Sequence, residues 1–242
     1  MRSSRSFARQ THRTTALLLR RVAYAESDLI VTALTRDLGV VSALARSARK
    51  SRKRFVGALE PIHTLRVELV ERAGTELMTL RDSVIDIPRR RLTADLSRME
   101  AAGRALGWVR RGAPERTPEP DAWHALTEML DQLDDPNDGH PPIVHLAACG
   151  LRLLGAFGWG LDFERCVVTG RVCEAGRPAM IDATRGGLVS SAAGGGRVRL
   201  SGPLRERLLG ASRGRPGALR ASDADVALGL IEEALRAHVG GA

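Results

Sequence analysis

Thr64-Leu65-Arg66-Val67-Glu68-Leu69-Val70-Glu71 alternates with a period of two, Leu65, Val67 and Leu69 pointing one way and Arg66, Glu68 and Glu71 breaking to the other. That period belongs to a β-strand with one buried face. Downstream, Arg72-Ala73-Gly74-Thr75 supplies a turn into a second strand, Glu76 to Val84. Upstream lie three more β-rich runs: Thr15 to Val22, which ends in Arg20 and Arg21, then Leu29 to Thr35, then Val40 to Ala45. Arg36-Asp37-Leu38-Gly39 makes the last two a hairpin. Five strands between residues 14 and 86, with an insertion before the fourth, predict a five-stranded OB barrel.

The insertion is Arg46-Ser47-Ala48-Arg49-Lys50-Ser51-Arg52-Lys53-Arg54, with six basic residues and no acidic one. Such a density of cation repels itself and resists burial, so it suits a polyanion, of which nucleic acid is the commonest; a solvated surface loop is the alternative. The charge excess is local. The first 54 residues carry 13 Lys/Arg against Glu26, Asp28 and Asp37, while the whole chain is formally +9. Lys50 and Lys53 are the only lysines. Arg46, Arg49, Lys50, Arg52, Lys53 and Arg54, helped by Arg20 and Arg21, are therefore the expected phosphate contacts. Aromatic side chains are scarce in the barrel region. Tyr24, Phe55 and His63 are the candidates for base stacking, with core packing favoured for Tyr24 and Phe55.

Beyond Pro88 the apolar period lengthens to about 3.6, which predicts a helical domain. Leu92, Leu96, Met99, Leu106 and Val109 form one stripe, and Trp123, Leu126, Leu130 and Leu133 a second. Ile143 to Phe157 is apolar nearly all round and reads as the central helix. Ser222, Asp223 and Asp225 read as the start of a last helix carrying Val226, Leu230, Ile231 and Leu235. Asp162 to Val198, with Cys166, Cys173 and several glycines, reads as irregular or weakly β. The fold class is thus α+β, divided into a basic arm at residues 1–13, expected to be disordered, the barrel at 14–86, and a helical domain at 87–242.

Three cysteines do not make a disulfide framework, and their odd number fits a reducing cytoplasm. No apolar run suits a membrane span. Phosphate-loop and His-Glu-x-x-His motifs are missing, so no enzyme is expected. His140 and His145 near Asp138 invite a metal or acid–base reading, but Pro141 and Pro142 suggest a loop entering a helix. Tyr24, Glu26 and Asp28 invite acid–base work; the acids read instead as salt-bridge partners for Arg20, Arg21 or Arg46.

Arg21-Val22-Ala23-Tyr24-Ala25-Glu26-Ser27-Asp28, Thr35-Arg36-Asp37-Leu38-Gly39, Ala45-Arg46-Ser47-Ala48-Arg49 and Phe55-Val56-Gly57-Ala58-Leu59-Glu60-Pro61, in this order and spacing, resemble the bacterial RecO family of recombination mediators. The resemblance implies an OB domain followed by a helical domain, binding of single- and double-stranded DNA, and annealing of complementary strands. It further implies partnership with RecR and with the C-terminal tail of the single-strand-binding protein, so that RecA is loaded onto DNA in the nucleoid. Many relatives carry zinc on two Cys-x-x-Cys pairs. Here those positions fall at Cys166, Thr169, Ser190 and Ala193, so one ligand remains and neither zinc nor any other cofactor is expected. For the acidic tail, the helix face bearing Arg104, Trp108 and Arg111 is the expected acceptor, against a solvated helix face. An RNA-binding module of translation or ribosome assembly is the alternative function. An adaptor without affinity for bare DNA is a third.

Overall fold

The computed structural model describes residues 10–51, 54–55, 57–71, 74–215 and 217–239. They form two compact units, one running to Arg90 and including Ala113–Pro120, the other made of Arg91–Gly112 and the chain from Asp121 onward.

In the first unit β1 (Thr11–Tyr24), β2 (Asp28–Thr35), β3 (Gly39–Ala45), β4 (Thr64–Val70) and β5 (Met78–Ile87) close into a barrel of order β1-β2-β3-β5-β4. This is the expected five-stranded OB arrangement. Closure depends on β1, whose residues Thr11–Leu17 pair with β4 while Ala16–Tyr24 pair with β2. A register shift between Leu18 and Arg20 marks a bulge just after the strand changes partner, and bulges bend and twist a strand. A short parallel pairing of Ala43 and Leu44 with Met78 and Thr79 seals the remaining seam. Leu65, Val67 and Leu69 all point into the core, where they meet Ala16, Leu18 and Val31.

Two boundaries differ from expectation. Strand pairing begins at Thr11, so Thr11, His12 and Arg13 belong to the barrel and not to an arm; Arg13 binds Glu68 across the sheet at 3.1 Å. Residues 1–9 lie outside the described residues. Ala113–Pro120, expected within the helical domain, is part of the barrel unit. The Arg116 backbone N–H donates to the Val40 carbonyl at 2.9 Å, and its guanidinium reaches Glu71 and the Glu76 carbonyl, each at 2.7 Å.

The second unit comprises α1 (Leu96–Gly112), α2 (Pro120–Asp134), α3 (Pro142–Ala156), β6 (Asp162–Cys166), β7 (Ala179–Asp182), β8 (Gly187–Leu188), β9 (Val198–Leu200), α4 (Gly202–Ser212) and α5 (Ala224–Val239). α3 is the central helix, packed on α1, α4 and α5. Gly150 permits this approach, since a Cβ there would lie 2.7 Å from the Trp108 ring and 2.8 Å from Ile231 Cδ1. The α2 stripe is buried as expected. The stripe expected on α1 is buried only in part: Leu92, Leu106 and Val109 are in the core, while Leu96 and Met99 are 73% and 41% exposed. Small residues, Ala101, Ala102 and Ala105, turn inward with Leu106, Trp108 and Val109. α4 was not expected; Ser201 caps it by accepting the Leu204 N–H. The cysteine segment, expected to be irregular or weakly β, is a four-stranded sheet of order β6-β8-β7-β9.

Gly39 holds a φ of +71° in the β2–β3 turn, and a Cβ there would lie 2.0 Å from the Thr117 carbonyl oxygen. Gly39→Ala therefore combines left-handed strain with a clash against backbone, and is expected to cost at least about 2 kcal/mol. Urea denaturation followed by circular dichroism measures this; an unchanged midpoint would contradict the packing described.

Candidate nucleic-acid interface

The basic stretch leaves the barrel at the end of β3 and is held at both ends. Ser47, in the left-handed region with a φ of 56°, starts a 3-10 turn over Ala48–Lys50. Its backbone N–H donates to Asp28 Oδ1 at 2.7 Å, and the Arg49 N–H donates to the Ser27 carbonyl at 3.0 Å. Asp28 is thus a backbone anchor for the loop, where an arginine salt bridge was expected. At the far end Phe55 is buried in the barrel core with Ala58 and Leu59.

Between these anchors the described cations Arg46, Arg49, Lys50 and Arg54 are all exposed. The guanidiniums of Arg49 and Arg54 meet carbonyls, and none of the four cations has a carboxylate partner among the described residues. Arg49 Nη1 donates to the Glu26 carbonyl at 3.3 Å, and Arg54 Nη2 to the Arg46 carbonyl at 3.2 Å, while the Arg54 guanidinium lies 5.2 Å from the Phe55 ring centroid. A carbonyl orients a guanidinium without neutralising it. Arg52 and Lys53 lie outside the described residues.

Arg20 and Arg21 differ from each other. Both are exposed, but alternation along β1 places neighbours on opposite faces. Arg21 is already paired, with Glu60 Oε1 at 2.6 Å and the Leu59 carbonyl at 3.1 Å. It lines a depression of about 480 Å³ together with Ala23, Leu29, Arg49 and Phe55. The stacking candidates also separate. Phe55 is a core residue, His63 Nδ1 accepts the Arg89 backbone N–H at 3.1 Å, and Tyr24, read as core, is 51% exposed at the end of β1 beside Val22 at 41%.

In the second unit the Arg104, Trp108 and Arg111 face is corrected. Trp108 is 1% exposed, and its Nε1–H donates to Glu232 Oε1 at 3.3 Å. Arg104 binds the same carboxylate at 3.2 Å. The indole is core, and Arg111 alone of the three is exposed with no partner among the described contacts. No helix among the described residues is long and apolar enough to cross a membrane.

The four positions at which the resemblance implies zinc ligands, Cys166, Thr169, Ser190 and Ala193, converge in part. Cys166 Sγ accepts the Ser190 backbone N–H at 3.2 Å and lies 3.5 Å from Ser190 Oγ, with the Thr169 hydroxyl also bonded to it. One thiol, two hydroxyls and a methyl group do not fit zinc, which takes thiolate and imidazole. Hydrogen bonds occupy the place of coordinate bonds.

Comparison with known proteins gives two family matches, Recombination protein O N terminal over residues 9–88 and Recombination protein O C terminal over residues 93–242. The DNA repair protein RecO of Anaeromyxobacter sp. (strain K) is 38% identical over 173 residues, 72% of this chain and 66% of that protein, so the match spans just under two thirds of the relative's length. The DNA repair protein RecO of Geobacter metallireducens is 31% identical over 236 residues, covering 95% of this chain and 93% of that protein.

The Ser190 hydroxyl, then that of Thr169, and the Ser190 N–H hold the Cys166 thiol down to about 6 from an ordinary 9.0. A folded-state pKa below the unfolded one stabilises the fold fully above the unfolded value, and that contribution disappears as pH falls toward 6. In a Cys173→Ser background, thiolate absorbance is expected to rise with a midpoint near 6, and Ser190→Ala to move it upward. A midpoint in the ordinary thiol range in both proteins would contradict the hydrogen-bonded sulfur.

Proposed function

The chain belongs to the recombination protein O family of DNA repair proteins, and from that premise we propose that it binds single- and double-stranded DNA through the loop between β3 and β4 and anneals complementary strands. One observation carries this reading. The described cations of the loop are exposed, held in place at both ends, and have no carboxylate partner among the described residues. Free cations on an anchored loop release counterions from phosphate when they bind. Their arrangement carries no base readout, so the contact tolerates sequence.

Annealing needs no catalytic residue. Two strands repel through their phosphates, and a basic surface touching both lowers that repulsion while the base edges stay free to pair. Arg46, Arg49, Lys50, Arg52, Lys53 and Arg54 supply the charge and Arg20 extends it along β1. Arg21 contributes less, because Glu60 already neutralises it. Tyr24, exposed at the end of β1, offers the stacking surface that Phe55 cannot. The resulting role is that of a non-enzymatic mediator in the bacterial cytoplasm, associated with the nucleoid and requiring no zinc in the cysteine segment. With RecR, and through the acidic tail of the single-strand-binding protein, it helps RecA onto coated DNA. Family membership supports these partners, and Arg111 is the one member of the expected tail-binding face left free to serve.

Replacing Lys50, Arg52, Lys53 and Arg54 together by Ala is expected to slow annealing of complementary oligonucleotides by more than about tenfold at moderate salt, because four phosphate contacts are lost. The variant should keep the wild-type circular dichroism spectrum, since Lys50 and Arg54 are exposed. Undiminished annealing in a folded variant would overturn the assignment.

A further inference from the structure

The turn before α3 and the first turn of α3 bring together three side chains far from the basic loop in sequence. Asp138 Oδ1 lies 3.1 Å from His140 Nδ1 and 3.1 Å from His145 Nε2. One donor atom from each of the three lies within 4.8 Å of the others. The local chain accounts for the convergence. Asp138 accepts the His140 backbone N–H at 2.8 Å, which folds the turn back, and Pro141 and Pro142 then start the helix that carries His145.

As a plain hydrogen-bond cluster this arrangement is incomplete. The His145 side chain is 10% exposed, and its Nε2 is buried without a hydrogen-bond partner, although the carboxylate oxygen is at contact distance. The ring is close enough to Asp138 but poorly aligned to bond it. A buried ring nitrogen left unsatisfied costs free energy, and imidazole nitrogens aimed with a carboxylate at one point commonly hold a metal. The spacing suits an ion. Donors about 2.1 Å from a shared metal sit about 3.4 Å apart in a tetrahedral site, close to the two short distances seen. His140, exposed and edge-on to the His145 ring at 5.7 Å between centroids, supplies the third donor. Two imidazoles and one carboxylate select a borderline divalent ion over calcium or magnesium, which prefer oxygen.

The geometry points to a divalent transition-metal site, zinc foremost, formed by Asp138, His140 and His145. All three line a cavity of about 190 Å³ between α2, α3 and the end of α4. The ion ties the turn to the first turn of α3 and closes the cavity mouth, leaving a coordination position for water, as three-ligand zinc sites do. Cys149, one helical turn further along α3, lines the same cavity but is not among the three donors that lie together. The site is separate from the cysteine segment, where zinc does not fit. It does not depend on the DNA-binding reading.

The test uses the full chain without a histidine tag, titrated with Zn²⁺ by calorimetry and with Co²⁺ by visible absorption. One equivalent is expected to bind, with ligand-field bands for Co²⁺ and a rise in melting temperature with Zn²⁺. His140→Ala and Asp138→Asn alter exposed or half-buried groups and should keep the fold. Each is expected to weaken binding by about a hundredfold or more, since losing even an outer-sphere partner costs about 10–100-fold. The Cys166→Ser, Cys173→Ser double variant should bind as the wild type does. Absence of saturable binding by the wild type would overturn the proposal, as would binding that survives both His140→Ala and Asp138→Asn, or that is lost in the cysteine double variant.

Discussion

One strand shared between two partners sets the geometry of the first unit. β1 gives its first half to β4 and its second half to β2, with a bulge between Leu18 and Arg20 just past the changeover. That sharing closes the sheet and removes its edges. It also leaves the end of β1, with Tyr24, beside the turn that carries Asp28. Asp28 then holds the backbone where the basic loop departs, and Phe55 plugs the core where the chain returns. Burying six cations in the barrel would cost far more than packing could return. The loop is therefore fastened by a carboxylate acting on backbone and by one aromatic ring, while its described charges stay exposed.

The second unit is governed by close approach. α3 crosses its neighbours at Gly150, which lets Trp108 from α1 and Ile231 from α5 meet over it. Small alanines on α1 follow from that closeness, and the larger Leu96 and Met99 are left outside. The sheet of the cysteine segment is joined to α4 by Arg205, which is 3% exposed and donates to the carbonyls of Cys173 and Glu174. A guanidinium thus works as an internal strut, and Cys166 Sγ is held by the backbone N–H of Ser190.

How much of this could be read from the chain depends on the range of the cause. The barrel was legible because the period of two is local and strong in Thr64–Val70, and because turn residues separate the strands. The basic loop was legible because charge density needs no tertiary information. Trp108 was misread as a surface residue because Arg104 and Arg111 flank it, whereas its partner Glu232 lies 124 positions away. α4 escaped notice because Gly202-Pro203 opens it and a buried Arg205 breaks its apolar pattern. The carboxylate that pairs with Arg21 is Glu60 and not Glu26 or Asp28, a partner supplied by another segment. The Asp138, His140 and His145 grouping was visible as proximity in sequence; the unsatisfied, buried nitrogen of His145 needed the fold.

The most direct measurement is fluorescence-detected binding of the intact chain to single-stranded DNA, duplex DNA and sequence-matched RNA across a salt series. A phosphate-driven interface gives DNA affinity that falls with salt at a log–log slope of roughly −3 to −5, as about five or six phosphate contacts require, with RNA bound no more tightly. Clear preference for RNA, or no affinity for bare DNA, would contradict the account and return the loop to the reading of an RNA module or a protein adaptor.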